Sequence, residues 1–206
     1  MCQSTNWHTK ARKTPGTCYT IFIPKGTNPV NKLSTLALTA LTALATTTPS
    51  MAQGISAHEY HSHVHLGQVV RSTGINFKIN PAECWSKGAM GWYWAARNEM
   101  VVCQEGKQQV GVETNWTDED LDTLRHEAQH LIQDCMDGSR QGALGAVYKD
   151  PIALAKSILG DRGIRYVVDL YSDSSDHIKV MELEAFSVAR MNQPLEQAED
   201  IKNFCF

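Results

Sequence analysis

"TDEDLDTLRHEAQHLIQDC", residues 117–135, is the stretch of this 206-residue chain that decides the fold. Apolar residues recur through it at helical spacing, at positions 121, 124, 128, 131, 132 and 135. Thr117 and Asp120 match an approximate capping box, which predicts that a helix begins there, and Gly138 predicts its end. The stretch therefore predicts one long amphipathic helix that packs its apolar face against a core.

The other side of this helix carries two histidines and a glutamate. His126 and His130 are four residues apart, so both rings project from the same side and can reach one cation. Zn²⁺ binds neutral imidazole at about 2.0–2.1 Å and favours a tetrahedral set of ligands. Glu127 would lie beside the metal, where it could take a proton from zinc-activated water that attacks a carbonyl group. The alternative is the solvated face of an ordinary surface helix.

A zinc site with two histidines and one water needs a further protein ligand, and "VMELEAFSVAR", residues 180–190, offers glutamates. The combination of "HEAQH" with a downstream "ELEA" resembles the gluzincin group of zinc metallopeptidases, in which a Glu-x-x-Ala on a second helix provides the third ligand. The resemblance implies a small zincin-like fold and assigns Glu182, with Ala185, to the metal. Phe186 departs from the family pattern, which often has an acidic residue there that orients a ligand histidine.

Glu184 is the alternative third ligand. A helical projection of residues 178–189 places Glu182 nearer the apolar face than Glu184. A carboxylate close to the core needs a partner, and a cation is one. We therefore favour Glu182, while the remaining alternative is that both glutamates are solvated helix charges.

Three further residues are eligible to donate a hydrogen bond to the oxyanion that forms during hydrolysis. Tyr166, Tyr171 and His177 lie between the two segments that carry the metal-ligand candidates. The sequence does not choose among these three side chains, and ordinary packing is the alternative for each tyrosine.

Two other stretches are rich in histidine or in aromatic residues, which can serve a binding site. "HEYHSHVH" contains His58, His61, His63 and His65, for which an accessory metal site is the alternative to a solvated helix face, and we favour the solvated face. "GWYWAA" and "EMVVCQ" predict a hairpin of two strands. Their aromatic residues either pack in the core or form an edge to which a substrate adds as an extra strand.

Residues 1–52 have the composition of a leader, with five Lys or Arg residues and no Asp or Glu. An apolar run of Leu, Ala and Thr followed by Ser50 and Ala52 predicts a secretory signal peptide cleaved near Ala52. Such leaders begin close to their basic region, so we hypothesise that translation starts at Val30 and that residues 1–29 are not made. A single membrane anchor and a plastid transit peptide are the alternatives.

Removal of this leader would change the formal net charge from −3 to −8, since all five of its charges are positive. An acidic domain repels phosphate backbones, which argues against nucleic acid as a partner. Cys84, Cys103, Cys135 and Cys205 remain, with no Cys-x-x-Cys pair, so disulfides are favoured over a thiolate metal site. Of the three possible pairings we favour Cys84 with Cys103, across the hairpin, and Cys135 with Cys205.

The order of predicted elements is helix, small antiparallel or mixed sheet, then helices, which indicates an α+β fold for residues 53–206. Residues 163–171 are ambiguous between helix and strand. We expect a secreted or periplasmic Zn²⁺ metallopeptidase that is a monomer and an endopeptidase rather than an exopeptidase. It would act on a protein or peptide substrate, without stable membrane insertion after leader cleavage. The alternative is a secreted binding or structural domain of the same fold, whose metal site serves stability only.

Overall fold

The computed structural model describes residues 19–21, 56–136, 143–191 and 193–206. Its elements confirm the α+β class. The strands are β1 (Tyr19–Ile21), β2 (Asn76–Ile79), β3 (Gly91–Trp94) and β4 (Glu99–Val102). The helices are α1 (Ala57–Ser72), α2 (Asp118–Cys135), α3 (Pro151–Ile158), α4 (Gly160–Leu170), α5 (Asp176–Met191) and α6 (Pro194–Cys205). Within these described ranges, no helix is both long enough and apolar enough to span a membrane.

The strands form one mixed sheet in the order β1-β3-β4-β2. β3 and β4 form the predicted antiparallel hairpin, in which Tyr93 pairs with Met100. The turn between these strands passes through Asn98, whose φ of 48° is in the left-handed region that asparagine tolerates. β2 is parallel to β4, and β1 is antiparallel to β3. β1 lies within the predicted leader, so cleavage near Ala52 would free that edge of β3.

Alternate residues of the hairpin face opposite sides of the sheet, as the period of a strand requires. Tyr93, Met100 and Val102 belong to the main core, which also contains apolar residues of α1, α2 and α6. Trp92 and Val101 belong to a smaller cluster around the Cys84–Cys103 disulfide. Trp92 and Tyr93 are fully buried, which supports core packing for these two aromatic residues.

Helix α2 begins as predicted and crosses the centre of the domain. The Thr117 hydroxyl accepts a hydrogen bond from the Asp120 backbone N–H, and the Asp120 carboxylate accepts one from the Thr117 N–H at 3.0 Å. The predicted end at Gly138 lies outside the described residues. Residues 123–135 of the helix are all buried, including His126 and His130. The solvated-face interpretation of this helix is therefore wrong.

Hydrogen bonds from polar side chains hold α2 against its neighbours. Arg125 Nε donates to the Ala189 carbonyl of α5 at 2.8 Å, and Gln197 Nε2 of α6 donates to the Arg125 carbonyl at 2.8 Å. The Tyr93 hydroxyl of β3 donates to Asp134 Oδ2 at 2.6 Å. Because each of these groups is buried, leaving one unpaired would be unfavourable by about 1–3 kcal/mol, which strongly specifies the position of the helix.

The second half of the chain folds into helices that cover the polar side of α2. The ambiguous residues 163–171 are helical up to Leu170, as part of α4. Gly160 follows the end of α3 with a φ of 64° that favours glycine, and α4 begins there. Ala155, Val167 and Leu183 form a third apolar cluster among α3, α4 and α5. This packing presses α5 against α2, where the candidate site lies.

Both predicted disulfides are present. Cys84 is bonded to Cys103 beside the hairpin, and Cys135 at the end of α2 is bonded to Cys205 at the end of α6. Disulfides persist in oxidising compartments, so the two bonds are consistent with an extracellular protein.

We expect removal of the Cys135–Cys205 bond to destabilise the domain more than removal of the Cys84–Cys103 bond. The first closes a sequence separation of 70 residues and the second one of 19. Loop-closure entropy predicts losses of about 4 and about 3 kcal/mol, respectively, in the free energy of unfolding. Denaturant unfolding of the two double Cys→Ala variants measures the difference, and the reverse order would contradict the prediction.

Candidate metal centre

Three of the predicted site residues meet where α5 crosses α2. His126 Nε2 lies 3.0 Å from His130 Nε2, and Glu182 Oε2 lies 3.2 Å and 3.5 Å from these two nitrogens. Their potential ligand atoms all fall within 4.8 Å of one another, and all three residues are buried. Two imidazoles with one carboxylate form the ligand set of one class of catalytic zinc site. This group could hold a metal ion.

The electrostatics of these three side chains fit a cation. Burial lowers the pKa of His126. Burial alone would raise the pKa of Glu182, but the two neighbouring imidazoles outweigh it and bring this pKa down to about 2. A carboxylate held ionised inside the protein needs compensating positive charge, and a divalent ion shared with imidazole nitrogens provides it. The donor set therefore suits a divalent metal ion on chemical grounds.

Glu127 is fully buried beside this group. Within the described part of the chain, neither of its carboxylate oxygens has a hydrogen-bond partner. Burial raises the pKa of Glu127 well above its ordinary value, and the charge of Glu182 raises it further. A buried carboxylate without hydrogen-bond partners is energetically unfavourable.

Strand β3 approaches Glu127 closely through a glycine. A Cβ atom added at Gly91 would lie 3.1 Å from Glu127 Oε1 and 2.6 Å from Thr123 Cγ2. A larger residue at this position would collide with α2. Glycine thus allows the backbone of β3 to lie directly against the candidate catalytic carboxylate.

Tyr171 is the predicted oxyanion donor whose hydroxyl reaches these carboxylates. Its hydroxyl group lies close enough to Glu182 and Glu127 for the charges of both carboxylates to act on it. Burial raises the pKa of Tyr171 well above its ordinary value, and the charges of Glu182 and Glu127 raise it further. The hydroxyl therefore remains protonated at neutral pH and can donate.

The other two predicted oxyanion donors lie elsewhere. His177 is exposed, and its Nε2 is 2.8 Å from the Leu144 carbonyl oxygen. Tyr166 is 42% exposed and lines a cavity of about 260 Å³. His126 and Phe186 border the same cavity, together with the apolar side chains of Leu159 and Val167. This cavity is thus an open space next to one of the two histidines.

Phe186 replaces the acidic residue of the gluzincin pattern with an aromatic contact. Its ring meets the His126 ring edge-on, with the centroids 4.6 Å apart. His126 Nδ1 has no hydrogen-bond partner among the described residues. The Phe186 ring therefore packs against this imidazole, and no carboxylate among the described residues holds its Nδ1.

Glu184 is buried as completely as Glu182, although the helical projection placed it farther from the apolar face. It is not part of the histidine group. Its carboxylate instead accepts hydrogen bonds from the side chains of Gln129 and Gln133 and from the backbone N–H groups of Val147 and Tyr148. The interpretation of both glutamates as solvated charges is wrong, because α5 is covered on more than one side.

The histidines of α1 do not converge. Within the described ranges, they form no group of three potential metal ligands. His58 and His61 are exposed, in agreement with the favoured solvated face. His63 departs from that expectation, because it is 1% exposed and its Nε2 contacts the Arg125 guanidinium. It is a packing residue between α1 and α2.

Gln133 is a residue of the site that the sequence analysis did not single out. Its side-chain oxygen lies 2.8 Å from His130 Nδ1. Gln133 follows His130 by three residues, and residues i and i+3 are neighbours on a helix. The spacing in the sequence could therefore have predicted this contact.

Comparisons with protein-family models, with curated protein sequences and with solved structures gave no match to this chain.

Proposed function

We propose that this chain is an exported zinc-dependent metallopeptidase of the gluzincin type, and an endopeptidase rather than an exopeptidase. The observation that carries the proposal is the buried group of His126, His130 and Glu182, with the unpartnered carboxylate of Glu127 beside it. The two disulfides support export. The gluzincin resemblance supports the assignment of Glu182 as the third ligand.

Zinc bound by these three residues would supply Lewis-acid polarisation of the scissile carbonyl group and would activate water at neutral pH. Glu127 accepts the proton of the attacking water on its carboxylate and then passes it to the leaving amine. The Tyr171 hydroxyl donates to the oxyanion that develops on the carbonyl oxygen. The cavity beside His126 accommodates a side chain of the protein or peptide substrate.

A non-catalytic domain with a structural metal site is the second candidate. It is favoured by the low exposure of the three metal-ligand candidates, at most 2% each, because structural zinc sites are closed. Glu127 argues for catalysis, since a metal site that serves only stability has no use for a second buried carboxylate without hydrogen-bond partners among the described residues. The cavity next to His126 argues in the same direction.

Metal removal distinguishes the two candidates. We expect the purified protein to contain zinc in stoichiometric amount and to cleave members of a peptide library at internal bonds. A chelator should abolish this cleavage and added Zn²⁺ should restore it, because the three buried ligands bind the ion reversibly. Metal analysis measures the zinc content of the protein, and mass spectrometry of the digest identifies the cleaved bonds. Bound zinc without cleavage under any condition would instead support the structural site.

A further inference from the structure

The two histidines of the candidate metal centre differ in how their second nitrogen is held. His130 presents Nε2 to His126 and Glu182, while its Nδ1 lies 2.8 Å from Gln133 Oε1. His126 has no such contact for its Nδ1 among the described residues. Among the described residues, a polar side chain thus contacts Nδ1 of His130 but not Nδ1 of His126.

The hydrogen-bond partners of Gln133 determine which way its amide group points. Gln133 Nε2 is 3.0 Å from the Met181 carbonyl oxygen and 3.0 Å from Glu184 Oε1. Both partners can only accept, so the NH₂ end of the amide must face them. The amide oxygen then faces His130, where it accepts a hydrogen bond from Nδ1–H. This leaves the lone pair of His130 Nε2 directed at His126 and Glu182, the other two members of the metal-binding group.

Glu184 holds this arrangement in place from α5. Its carboxylate accepts hydrogen bonds from Gln129 Nε2 at 2.9 Å and from the backbone N–H groups of Val147 and Tyr148 at 3.1 Å. These donors satisfy the buried charge and fix its position. The remaining interaction with Gln133 is therefore made by a carboxylate that cannot readily turn away.

We propose that Gln133, held by Glu184, is the positioning residue that keeps His130 in the Nδ1–H tautomer with Nε2 ready to bind a metal ion. The role of this contact in catalysis rests on the proposed function. The position of the proton on His130 does not depend on that function. Helix α5 would then contribute to the site twice: Glu182 as a ligand, and Glu184 through Gln133.

The tautomer can be measured directly. Nitrogen-15 NMR of the imidazole rings in the unaltered protein, with zinc bound and after chelation, should show His130 with its proton on Nδ1 in both states. Gln133→Met preserves the length of the side chain and removes both of its hydrogen-bonding ends, so in the metal-free protein the Nδ1–H preference should be lost. Zinc affinity, measured by competition with a chelator, should fall about 10- to 100-fold.

Gln129→Met is the matched control. Gln129 lies on the same helix, is buried and also donates to Glu184, but the side chain that contacts His130 Nδ1 is that of Gln133. This variant should keep the Nδ1–H tautomer and lose less zinc affinity than Gln133→Met. Equal losses for the two variants would show general destabilisation and overturn the proposal. If Gln133→Met does not fold, the unaltered protein decides: a proton on Nε2 of His130 after chelation overturns the proposal.

These outcomes are separable from those that test the proposed function. A confirmed tautomer with bound zinc and no peptide cleavage would leave Gln133 as the positioning residue of a structural metal site. Cleavage by a protein whose metal-free His130 carries its proton on Nε2 would overturn the role of Gln133 and leave the peptidase proposal intact.

Discussion

Replacing Glu127 by Gln is expected to lower the rate of peptide hydrolysis by about 10²- to 10⁴-fold while zinc remains bound. The amide has nearly the same shape as the carboxylate but cannot accept the proton of the attacking water. Neither Glu127 oxygen has a hydrogen-bond partner within the described residues, so the substitution breaks no such contact there. The measurements are kcat/KM on a cleavable peptide and the zinc content of the purified variant.

Glu83→Gln is the control for this experiment, because Glu83 is exposed and lies outside the candidate site. It should retain both zinc and hydrolysis. The free energy of unfolding of Glu127→Gln should equal or exceed that of the parent protein, since a buried ionisable group is replaced by a neutral one. Full activity of Glu127→Gln would remove Glu127 from the mechanism.

Replacing Glu182 by Gln is expected to abolish stoichiometric zinc binding. The variant loses the anionic ligand and retains only the two imidazoles, which leaves the metal short of the three protein ligands of a catalytic site. Changes to groups that only orient a ligand weaken metal binding about 10- to 100-fold, and loss of a ligand itself should exceed this range. Competition with a chelator of known affinity measures the change.

Glu184→Gln is the matched comparison, since Glu184 lies two residues away and is equally buried. Because Glu184 acts through Gln133, its substitution should weaken zinc binding less than Glu182→Gln does. Full retention of zinc in Glu182→Gln, with its loss in Glu184→Gln, would reverse the assignment of the third ligand. Circular dichroism of both variants verifies that the helices remain folded.

The two substitutions together separate a catalytic from a structural metal site. In a peptidase, Glu127→Gln loses activity with the metal in place, whereas Glu182→Gln loses the metal and therefore the activity. In a structural domain, only Glu182→Gln has a large effect, and that effect is on stability. The Glu127 carboxylate makes no hydrogen bond within the described residues. Its substitution therefore has a large effect only if Glu127 takes part in a reaction.

Local features of the sequence predicted helix α2 and the pairing of the disulfides. Thr117 and Asp120 satisfy each other's backbone N–H groups within one turn, so a short pattern is enough to predict where the helix begins. The Cys84–Cys103 bond follows from the hairpin that brings its ends together. The cap lies within one helical turn and this disulfide spans 19 residues, so both depend on short stretches of sequence, whereas the Cys135–Cys205 bond spans 70 residues.

Helical projection failed for the glutamates of α5. It divides a helix into one buried and one solvated side, and thus treated Glu184 as less buried than Glu182. Helix α5 instead packs against α2, α3 and α4 and against residues 147–148, so few of its side chains reach solvent. Burial on several sides depends on elements distant in sequence, which a projection of one helix does not contain.

The sequence alone determined that His126 and His130 lie on one side of a helix with Glu127 between them, because the helical repeat sets the direction of each side chain. It also reduced the candidates for the third metal ligand to Glu182 and Glu184. Only the tertiary structure brought Glu182 within 3.5 Å of both imidazoles and placed Glu184 against Gln133. The position of α5 across α2 results from long-range packing, and that packing decides which glutamate meets the histidines.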